Sequence, residues 1–444
     1  MKKSLLFLMA FAGLQASAQS WTAGPTGYTS PSHLASGISI PNANVAWTKA
    51  SNTSTPANTV DVTHIWSKTT DGGQTWTTGS IAGIGVNQST SISSIASASA
   101  TKAWVSAFQG SGTNLGGIYH TSDGGTTWTR QTTASFNLNT TAGVSFPNLV
   151  YFWNENNGIC QGDPTSDSGA VYFEIYVTSN GGTNWTRVTT ENIPAPLEND
   201  EYGYTNNFAV AGNRIWFGTS KGRLFRSDNM GATWQAFQTP SSDFDSSTDG
   251  GNYAFADANN GILIKSDTTV HKTTDGGQTW TTAPYTGIIF SSDLKNIPGT
   301  NTYVSTGLGP AGSSMSLDGG TTWVPIDTAP HGVTAFLNAD VGYSAGVNAG
   351  ALVTYKWNGD LKVDEIAAGR IKLVPNPTNG PLQLTGVSIS KVEMFDLTGK
   401  KVMSQNFEAI EDLTLDVSAL QIGAYILQAT ATTGAKESVR FLKK

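Results

Sequence analysis

The apolar and polar positions between residues 21 and 358 fall into short runs that repeat along the chain. In a representative unit, an apolar run at 149–153 is followed by a short stretch at 158–162 that ends in glycine. An alternating segment follows at 171–178, and a last short segment begins at Trp185. Alternation with a period of two and frequent turn residues are typical of β-strands. Each unit is therefore predicted to contain four short strands, and the chain is predicted to be all-β.

Six of the units contain a short motif, here named the box, with the pattern Ser/Thr-x-Asp/Asn-x-Gly-x-Thr/Asn-Trp. Its tryptophan recurs every 43 to 57 residues, a period that predicts β-propeller blades in an all-β chain. Aspartate followed by glycine favours a tight turn, because the carboxylate accepts backbone N–H groups and glycine adopts positive φ. We interpret the boxes as structural hairpin turns between the third and fourth strands of each blade. The box residues are Asp71 and Trp76, Asp123 and Trp128, Asn180 and Trp185, Asn229 and Trp234, Asp275 and Trp280, and Asp318 and Trp323.

The predicted number of blades depends on two incomplete units, one at each end of the repeat. Residues 333–355 have the pattern of three strands, but no box follows them. Trp21-Thr22 has the form in which several boxes end, so we expect it to supply the fourth strand of the last blade. The result is a seven-bladed propeller closed by its two chain ends, with a six-bladed ring as the alternative. Trp357 competes with Trp21 for the same position.

The composition agrees with a large β-protein that has a polar and weakly charged surface. Only 13% of the 444 residues are charged, whereas the chain contains 49 glycines and 13 tryptophans. The formal net charge of -7 argues against binding to nucleic acid or to anionic lipid. Cys160 is the one cysteine, so an intramolecular disulfide and a cysteine zinc site are both excluded. We predict no cofactor, with calcium as the exception discussed below.

Both ends of the chain are predicted to carry targeting information. Residues 1–18 combine two lysines, an apolar run and small residues at 16–18, which is the pattern of a signal peptide cleaved after Ala18. The apolar run is too short to span a bilayer, and no later stretch approaches the length of a transmembrane helix. We therefore expect a propeller at 19–362, a linker at 363–371 and a C-terminal module at 372–444.

The C-terminal module is predicted to be a small Ig-like β-sandwich, because alternating strands are joined by Asn-Gly and Thr-Gly turns. It contains Pro-Asn-Pro-Thr-Asn-Gly at 375–380, Asp-Leu-Thr-Gly-Lys at 396–400 and a terminal lysine pair. These features resemble the type A C-terminal sorting domain of the Bacteroidetes type IX secretion system. The resemblance implies contact with the secretion machinery, translocation across the outer membrane, and surface attachment to lipopolysaccharide or release, usually with removal of this domain. The alternative is an ordinary Ig-like module that binds a partner.

The six boxes closely resemble the Asp-box or BNR repeat of sialidases, the sortilin ectodomain, xyloglucanases and the photosystem II assembly factor propellers. In those families the box is structural, so the resemblance implies the fold and not an activity. Sialidases also carry three arginines that grip the substrate carboxylate, the first of them ahead of the boxes. This propeller has only five arginines, and none precedes the first box. We therefore do not expect sialidase activity, and the likeness to xyloglucanases rests on the boxes alone.

Candidate ligand residues lie in, or within two residues of, three acidic segments at 162–167, 191–204 and 243–249, which we expect in loops on the face opposite the boxes. Carboxylates interleaved with tyrosine and asparagine are typical of carbohydrate sites, and two carboxylates at the right separation can hydrolyse a glycosidic bond. The candidate catalytic residues are Asp163, Glu198, Asp200, Glu201 and Asp245, and the candidate ligand-binding residues are Tyr202, Tyr204, Asn206, Asp243 and Asp249. Two alternatives stay open: solvated loops without a ligand, and calcium held by Asp163, Asp167, Asp243, Asp245 and Asp249, although no complete calcium-loop spacing is present.

Two hypotheses about function remain. The favoured one is a secreted or surface-attached, monomeric and non-catalytic propeller that binds a glycan or a surface protein through these segments. The alternative is a secreted glycoside hydrolase that uses a carboxylate pair from the same segments. The chain has no Gly-x-Ser-x-Gly, phosphate-loop or His-Glu-x-x-His motif, so other reaction classes are not predicted.

Overall fold

The structure is a computed structural model that describes residues 20–56, 61–82, 84, 90–109, 116–136, 145–167, 170–198, 200–359, 372–385, 388–396, 400–432 and 436–444. The chain divides into two compact units, residues 1–360 and 361–444. The predicted signal peptide at 1–18 and the predicted linker at 363–371 lie outside the described residues. In the described part of the chain, a 3-10 helix spans Thr190–Asn192, and no helix is long and apolar enough to cross a membrane.

The first unit consists, over its described residues, of seven sheets that we name blades 1 to 7. Blade 1 contains β2 (His33–Asn42), β3 (Val45–Asn52), β4 (Ile65–Thr69) and β5 (Thr77–Ser80), and blade 2 contains β6 (Thr90–Ser97), β7 (Ala103–Gln109), β8 (Gly117–Thr121) and β9 (Thr129–Gln131). Blade 3 contains β10 (Pro147–Phe152), β11 (Gly158–Asp167), β12 (Ala170–Thr178) and β13 (Thr186–Arg187). Blade 4 contains β14 (Gly203–Ala211), β15 (Arg214–Thr219), β16 (Arg223–Ser227) and β17 (Gln235–Gln238).

The remaining blades follow the same antiparallel order, with one addition. Blade 5 contains β18 (Gly251–Phe255), β19 (Gly261–Lys265), β20 (Val270–Thr273) and β21 (Thr281–Thr282). Blade 6 contains β23 (Asp293–Asn296), β24 (Tyr303–Leu308), β25 (Ala311–Ser316) and β26 (Thr322–Asp327), and β22 (Thr286–Gly287) pairs in parallel with β26. Blade 7 contains β27 (His331–Asn338), β28 (Val341–Asn348), β29 (Ala351–Asn358) and β1 (Ser20–Gly24).

The first strand of each blade lies innermost, and neighbouring innermost strands contact one another around a closed ring that includes the contact between β27 and β2. Large aromatic side chains fill the space between blades. Trp104 stacks on Phe152 of the next blade at 3.6 Å between ring centroids, and Trp216 stacks on Phe255 at 3.8 Å. Such buried aromatic pairs contribute both apolar area and specific geometry. The abundance of tryptophan therefore reflects packing between blades, and the all-β prediction is confirmed.

The N-terminal strand closes the ring, as the pattern at Trp21 predicts. β1 pairs antiparallel with β29, and Trp21 lies opposite Trp357 in this pair. The two indole rings are 4.8 Å apart, and Trp21 also packs 5.2 Å from the ring of His331. The two tryptophans do not compete for one position, because Trp357 belongs to the third strand of blade 7 and Trp21 to the fourth. An unpaired sheet edge at the seam is thereby avoided.

The boxes lie in the turns between the third and fourth strands, where each box bonds within itself. In the first box, Thr69 Oγ1 donates to Asp71 Oδ1 at 2.8 Å, and the Gly73 N–H donates to Thr69 Oγ1 at 2.9 Å. Thr75 donates both its N–H and its hydroxyl to the Asp71 carboxylate, at 2.9 and 2.5 Å. These bonds, with the Thr75 hydroxyl first, lower the pKa of Asp71 to about 2. Gly72 and Gly73 adopt φ of 71° and 88°, which only glycine takes without cost.

Each box is also tied to the hairpin between the first and second strands of its own blade. The Gly181 N–H donates to Asn156 O at 2.9 Å, and the Gly124 N–H donates to Thr101 O at 2.9 Å. The neighbouring blade adds a further bond, since Trp104 Nε1 of blade 2 donates to Gly181 O of blade 3 at 3.0 Å. Box turns and innermost hairpins therefore share one face, which we name the box face. The hairpins between second and third strands and the connections between blades form the opposite face.

The second unit is a pair of small sheets, consistent with the predicted Ig-like sandwich. One sheet contains β30 (Lys372–Val374), β31 (Pro381–Thr385) and β34 (Leu413–Asp416). The other contains β32 (Ile389–Asp396), β33 (Lys401–Ile410), β35 (Gly423–Ala431) and β36 (Lys436–Lys443). Alternate residues of both sheets, such as Leu382, Leu384, Val392 and Met394, are fully buried in one shared core. Strict alternation of apolar and polar positions explains this arrangement.

Candidate functional site

The first acidic segment, at 162–167, is not the loop that the sequence predicts. β11 continues through this segment to Asp167 and stays paired with β12, with a bulge between Gly162 and Pro164. The consecutive β-branched and aromatic residues at 171–173 supply the partner positions, so the hairpin arms extend further than the turn-rich sequence of the segment suggests. The side chain of Asp167 lies outside the described part of the structure.

Asp163 lies at the start of this extension, where it joins blade 3 to the chain that enters blade 4. Its Oδ1 accepts hydrogen bonds from Asn148 Nδ2 at 2.6 Å and from the Gly203 N–H at 2.9 Å. Burial raises the pKa of Asp163 to about 6, and these two bonds offset only part of the cost of burying the charge. The bonds connect two blades, which indicates a structural role for this carboxyl group.

Glu201, a second catalytic candidate, is fully occupied by protein partners. Its carboxylate accepts from Arg223 Nε at 2.9 Å, from Arg223 Nη2 at 2.6 Å and from Thr219 Oγ1 at 2.6 Å. The Leu197 N–H donates to it at 2.7 Å, and only 1% of the residue is exposed. A carboxylate with four donors and no access to solvent is not available to a substrate. The geometry therefore assigns Glu201 to a buried ion pair, against the sequence-based candidacy.

Glu198 and Asp200 are exposed carboxylates that share one lysine. Lys221 Nζ lies 2.9 Å from Glu198 Oε2 and 3.1 Å from Asp200 Oδ1. The hydrogen bond from Lys221 lowers the pKa of Asp200, so this carboxylate is ionised at neutral pH. Lys221 thus balances one of the negative charges of this segment.

An exposed cluster of four side chains brings together the second and third acidic segments. We name it the tyrosine–aspartate cluster: Tyr202, Tyr204, Asp243 and Asp245. The rings of Tyr202 and Tyr204 meet edge to face at 5.4 Å, and the Tyr204 hydroxyl donates to Asp243 Oδ1. The same oxygen accepts the Asp245 N–H at 3.0 Å. Tyr202 remains 45% exposed, so its ring is accessible to a ligand.

Two groups of this cluster, Tyr204 and Asp245, have raised pKa values. Burial, followed by the hydrogen bond to Asp243, raises the pKa of Tyr204. Burial and then the neighbouring charge of Asp243 raise the pKa of Asp245. A raised tyrosine pKa keeps the hydroxyl protonated as a donor, and Asp243 is its acceptor. The cluster is therefore a preformed arrangement of one exposed aromatic ring, one anchored tyrosine and two carboxyl groups.

The last two ligand candidates lie outside the cluster. Asp249 forms an ion pair with Lys265 and accepts the Ser242 N–H at 2.9 Å, and the bond to Lys265 is the main reason that its pKa falls to about 2. Asn206 instead accepts from Ser94 Oγ of blade 2 at 3.4 Å, across the centre of the ring. Asp249 therefore holds the segment 242–249 together and fixes it to Lys265. Asn206 instead contacts blade 2 in the centre of the ring.

The structure gives no support to calcium at the acidic segments. Among the described residues, no three His, Cys, Asp or Glu side chains are grouped so that they could hold a metal ion. Asp163 and Asp249 take amide, backbone or lysine donors instead. A calcium ion requires six to eight oxygen ligands, and these carboxylates are already turned towards other partners.

Sequence analysis missed a cavity of about 1170 Å³ in the centre of the ring. It is lined by the C-terminal halves of the innermost strands, so it lies towards the box face and not among the acidic segments. Its walls include Ile40 of blade 1, Tyr151 and Trp153 of blade 3, Phe208 of blade 4 and Leu337 of blade 7. One signal was present in the sequence, namely apolar residues at i and i+2 in these strands, as at Tyr151 and Trp153.

Comparison with known proteins agrees with both units. Residues 372–444 match the family described as a secretion system C-terminal sorting domain. The module is thus a type IX secretion sorting domain, which directs the chain to the cell surface or to secretion. The comparison with curated proteins gave no match.

Solved structures similar to the chain are propellers at low sequence identity. YCF48 from Cyanidioschyzon merolae is 18% identical, with a TM-score of 0.51 over 76% of this chain and 98% of that one. YCF48 bound to D1 peptide is 18% identical, with a TM-score of 0.50 over 77% of this chain and 98% of that one. PorZ of Porphyromonas gingivalis, a surface component of the type IX secretion system, is 12% identical, with a TM-score of 0.49 over 92% of this chain and 59% of that one. The likeness to YCF48 shows a shared fold.

Proposed function

We propose that the protein is an exported glycan-binding propeller that holds its ligand at the tyrosine–aspartate cluster and does not turn it over. The observation that carries this proposal is Tyr202, which keeps 45% of its surface exposed while its ring is held edge to face by Tyr204. A rigid, exposed aromatic face suits the apolar side of a sugar ring, and adjacent carboxylates accept hydrogen bonds from sugar hydroxyls. The sorting domain places this surface outside the cell, where glycans are accessible.

The arrangement of carboxylates favours binding over hydrolysis. Glycoside hydrolases use two carboxyl groups that both face the substrate. Here Glu201 is buried in its ion pair, and Glu198 and Asp200 share Lys221. Asp243 is held by the Tyr204 hydroxyl and the Asp245 N–H. Asp163 and Asp245 both have raised pKa values and no ion pair among the described residues, but Asp163 is held by Asn148 and Gly203, whereas Asp245 is exposed.

The experiment is a glycan array probed with the purified, exported protein and with Tyr202→Ala. Loss of one stacking contact is worth about 1 kcal/mol, so binding of Tyr202→Ala to each positive glycan should weaken about fivefold to tenfold. The matched control is Leu317→Ala, which removes an exposed apolar side chain (61% exposed) from a box on the other face. Equal binding by Tyr202→Ala and Leu317→Ala would contradict the proposal. Binding to a protein array but to no glycan would replace the glycan with a protein ligand.

The raised pKa of Asp245 favours a second candidate function, a glycoside hydrolase with Asp245 as general acid. This function requires release of reducing sugar from a polysaccharide, and Asp245→Asn should abolish the release while the protein still binds the polysaccharide. A broad polysaccharide screen without product would exclude it and leave the binding function intact.

A further inference from the structure

The central cavity lies apart from the proposed glycan site, and an irregular part of β14 lies at its inner end. β14 carries a register shift between Gly203 and Phe208, which makes residues 204–207 bulge out of the pairing with β15. Asn206 in this bulge adopts φ of 57° and accepts from Ser94 Oγ of blade 2 at 3.4 Å. Residues that follow Ser94 in β6 and Asn206 in β14 line the cavity. The contact between Asn206 and Ser94 therefore crosses the channel at the inner end of the cavity, and the cavity opens towards the box face.

The bulge that carries Asn206 is fixed from the outside. Asn207 Oδ1 accepts the Tyr253 hydroxyl of blade 5 at 2.6 Å, and Tyr204 is anchored to Asp243. A non-glycine residue at positive φ is costly and persists only where the surroundings determine it, although asparagine tolerates it better than most residues. The chain thus holds an amide group in the centre of the ring at some conformational cost. Within the described residues, the Asn206 amide nitrogen has no hydrogen-bond partner.

The cavity wall has an aromatic side and an aliphatic side, and polar residues such as Ser39, Asn154 and Asn296 lie among them. Tyr151 contacts Trp153 and Phe208 edge to face, at 5.1 and 5.7 Å between ring centroids, and together these three rings form one side. Aliphatic side chains, among them Ile38, Ile40, Val333 and Leu337, line the blades across the channel. The aromatic and aliphatic sides can desolvate the apolar body of a ligand.

Most ions at the cavity are paired with one another, and the Asp257 carboxylate instead accepts the Asn259 and Asn260 N–H groups, at 2.7 and 2.9 Å. Lys295 Nζ lies 2.8 Å from Asp293 Oδ1, whose second oxygen accepts the Thr334 N–H at 2.7 Å. At the rim, Arg214 Nε lies 2.6 Å from Asp228 Oδ1, and Lys102 pairs with Glu155 at 2.6 Å. A charged ligand would lose its hydration without gaining an unpaired counter-ion. The electrostatics therefore favour an uncharged ligand.

We propose that this cavity binds an uncharged, largely apolar small molecule that carries a carbonyl or ether oxygen. The apolar body lies against Tyr151, Trp153 and Phe208, and the oxygen accepts a hydrogen bond from the Asn206 amide. The volume of about 1170 Å³ is ample for a molecule of drug-like size. This site is independent of the proposed glycan site, because it faces the box face and shares no side chain with the tyrosine–aspartate cluster.

The probe for this proposal is prodan, 6-propionyl-2-(dimethylamino)naphthalene, an uncharged naphthalene with one carbonyl whose emission shifts to the blue in apolar surroundings. Titration of the full chain should give saturable, one-site binding with a blue shift. Asn206→Gly retains the positive φ of the bulge and removes the amide, so prodan affinity should fall about fivefold. Leu337→Glu places a carboxylate in the wall and should reduce affinity more than tenfold.

Two controls separate this site from other apolar surfaces. Leu197→Glu makes the same exchange at an exposed leucine on the opposite face and should leave prodan affinity unchanged. Circular dichroism checks that each variant is folded. Absence of saturable binding, or equal affinity of Leu337→Glu and Leu197→Glu, would overturn the proposal. An anionic probe, anilinonaphthalene sulfonate, should bind more weakly than prodan. Tighter binding that depends on Lys295 would show that the ligand is an anion and that the uncharged class is wrong.

Discussion

On the box face, each aspartate of a box is held by its own turn. Asp71, Asp123, Asp275 and Asp318 accept bonds from serine or threonine hydroxyls and backbone N–H groups within four residues, and the pKa of each falls to about 2. On the opposite face, the acidic residues are held from a distance in sequence. Glu201 pairs with Arg223, and Asp163 takes Asn148 and Gly203. The role of a carboxylate can be predicted from sequence when its hydrogen-bond partners are close to it in the chain. It cannot be predicted in this way when the partners are distant in sequence.

The largest expected effect on stability concerns Glu201, whose ion-pair partner Arg223 is distant in sequence. Glu201→Gln breaks a buried ion pair and leaves Arg223 without its counter-charge, so the free energy of unfolding should fall by about 3–5 kcal/mol. Urea denaturation followed by tryptophan fluorescence measures this change. The matched control is Glu198→Gln, an exposed carboxylate whose loss should cost no more than about 0.5 kcal/mol. A similar loss of unfolding free energy in the two variants would mean that the contribution of Glu201 to stability does not depend on its burial.

The next effect depends on pH and concerns Asp163. Its folded-state pKa of about 6 lies above the ordinary value of 3.8, so its contribution to stability is fully present below pH 4 and is lost as the pH rises through 6. Asp163→Asn keeps an acceptor for Asn148 and Gly203 but carries no charge. The variant should be more stable than the parent at pH 7.5, by at most about 3 kcal/mol, and nearly equal to it at pH 4. A variant less stable at pH 7.5 would show that the ionised carboxylate is the stabilising form.

The smallest effect concerns a box. Asp318→Ala removes the acceptor of the Thr321 and Thr322 N–H groups and the Ser316 hydroxyl, which should lower stability by about 1 kcal/mol. Asp318→Asn should cost less, because Asn180 and Asn229 accept the equivalent bonds in boxes 3 and 4. Thermal unfolding of the two variants checks the order. If Asp318→Asn were as damaging as Asp318→Ala, the negative charge and not the acceptor geometry would hold the turn.

The strands, the box turns and the closing strand could be predicted from sequence because their signals are local. Period-two alternation marks the blades, Asp-Gly-Gly and its variants mark the turns, and Trp21 is a box ending without a box. The fold of the sorting module could likewise be predicted from its turns and alternating strands. The same locality explains why six repeated aspartate or asparagine residues were assigned to structure and not to catalysis.

The candidate site could be predicted only in part, because its contacts join distant segments. The two tyrosines, Tyr202 and Tyr204, lie close to Asp243 in the structure. In sequence, the strands of blade 4 and about forty residues separate them from Asp243. No pattern in the sequence near Glu201 indicates that Arg223 is its partner. The segment 162–167 was expected to be a loop, but it pairs with β12 as part of β11. The cavity was missed because strand alternation does not tell which apolar residues face the channel and which face a neighbouring blade.

The most direct test of the central claim is a titration of the exported protein with the best glycan from the array, followed by analysis of the recovered glycan. We expect saturable binding, recovery of the glycan intact after prolonged incubation, and about fivefold to tenfold weaker binding by Tyr202→Ala. A shortened glycan whose formation depends on Asp245, or binding that is indifferent to Tyr202, would contradict this claim.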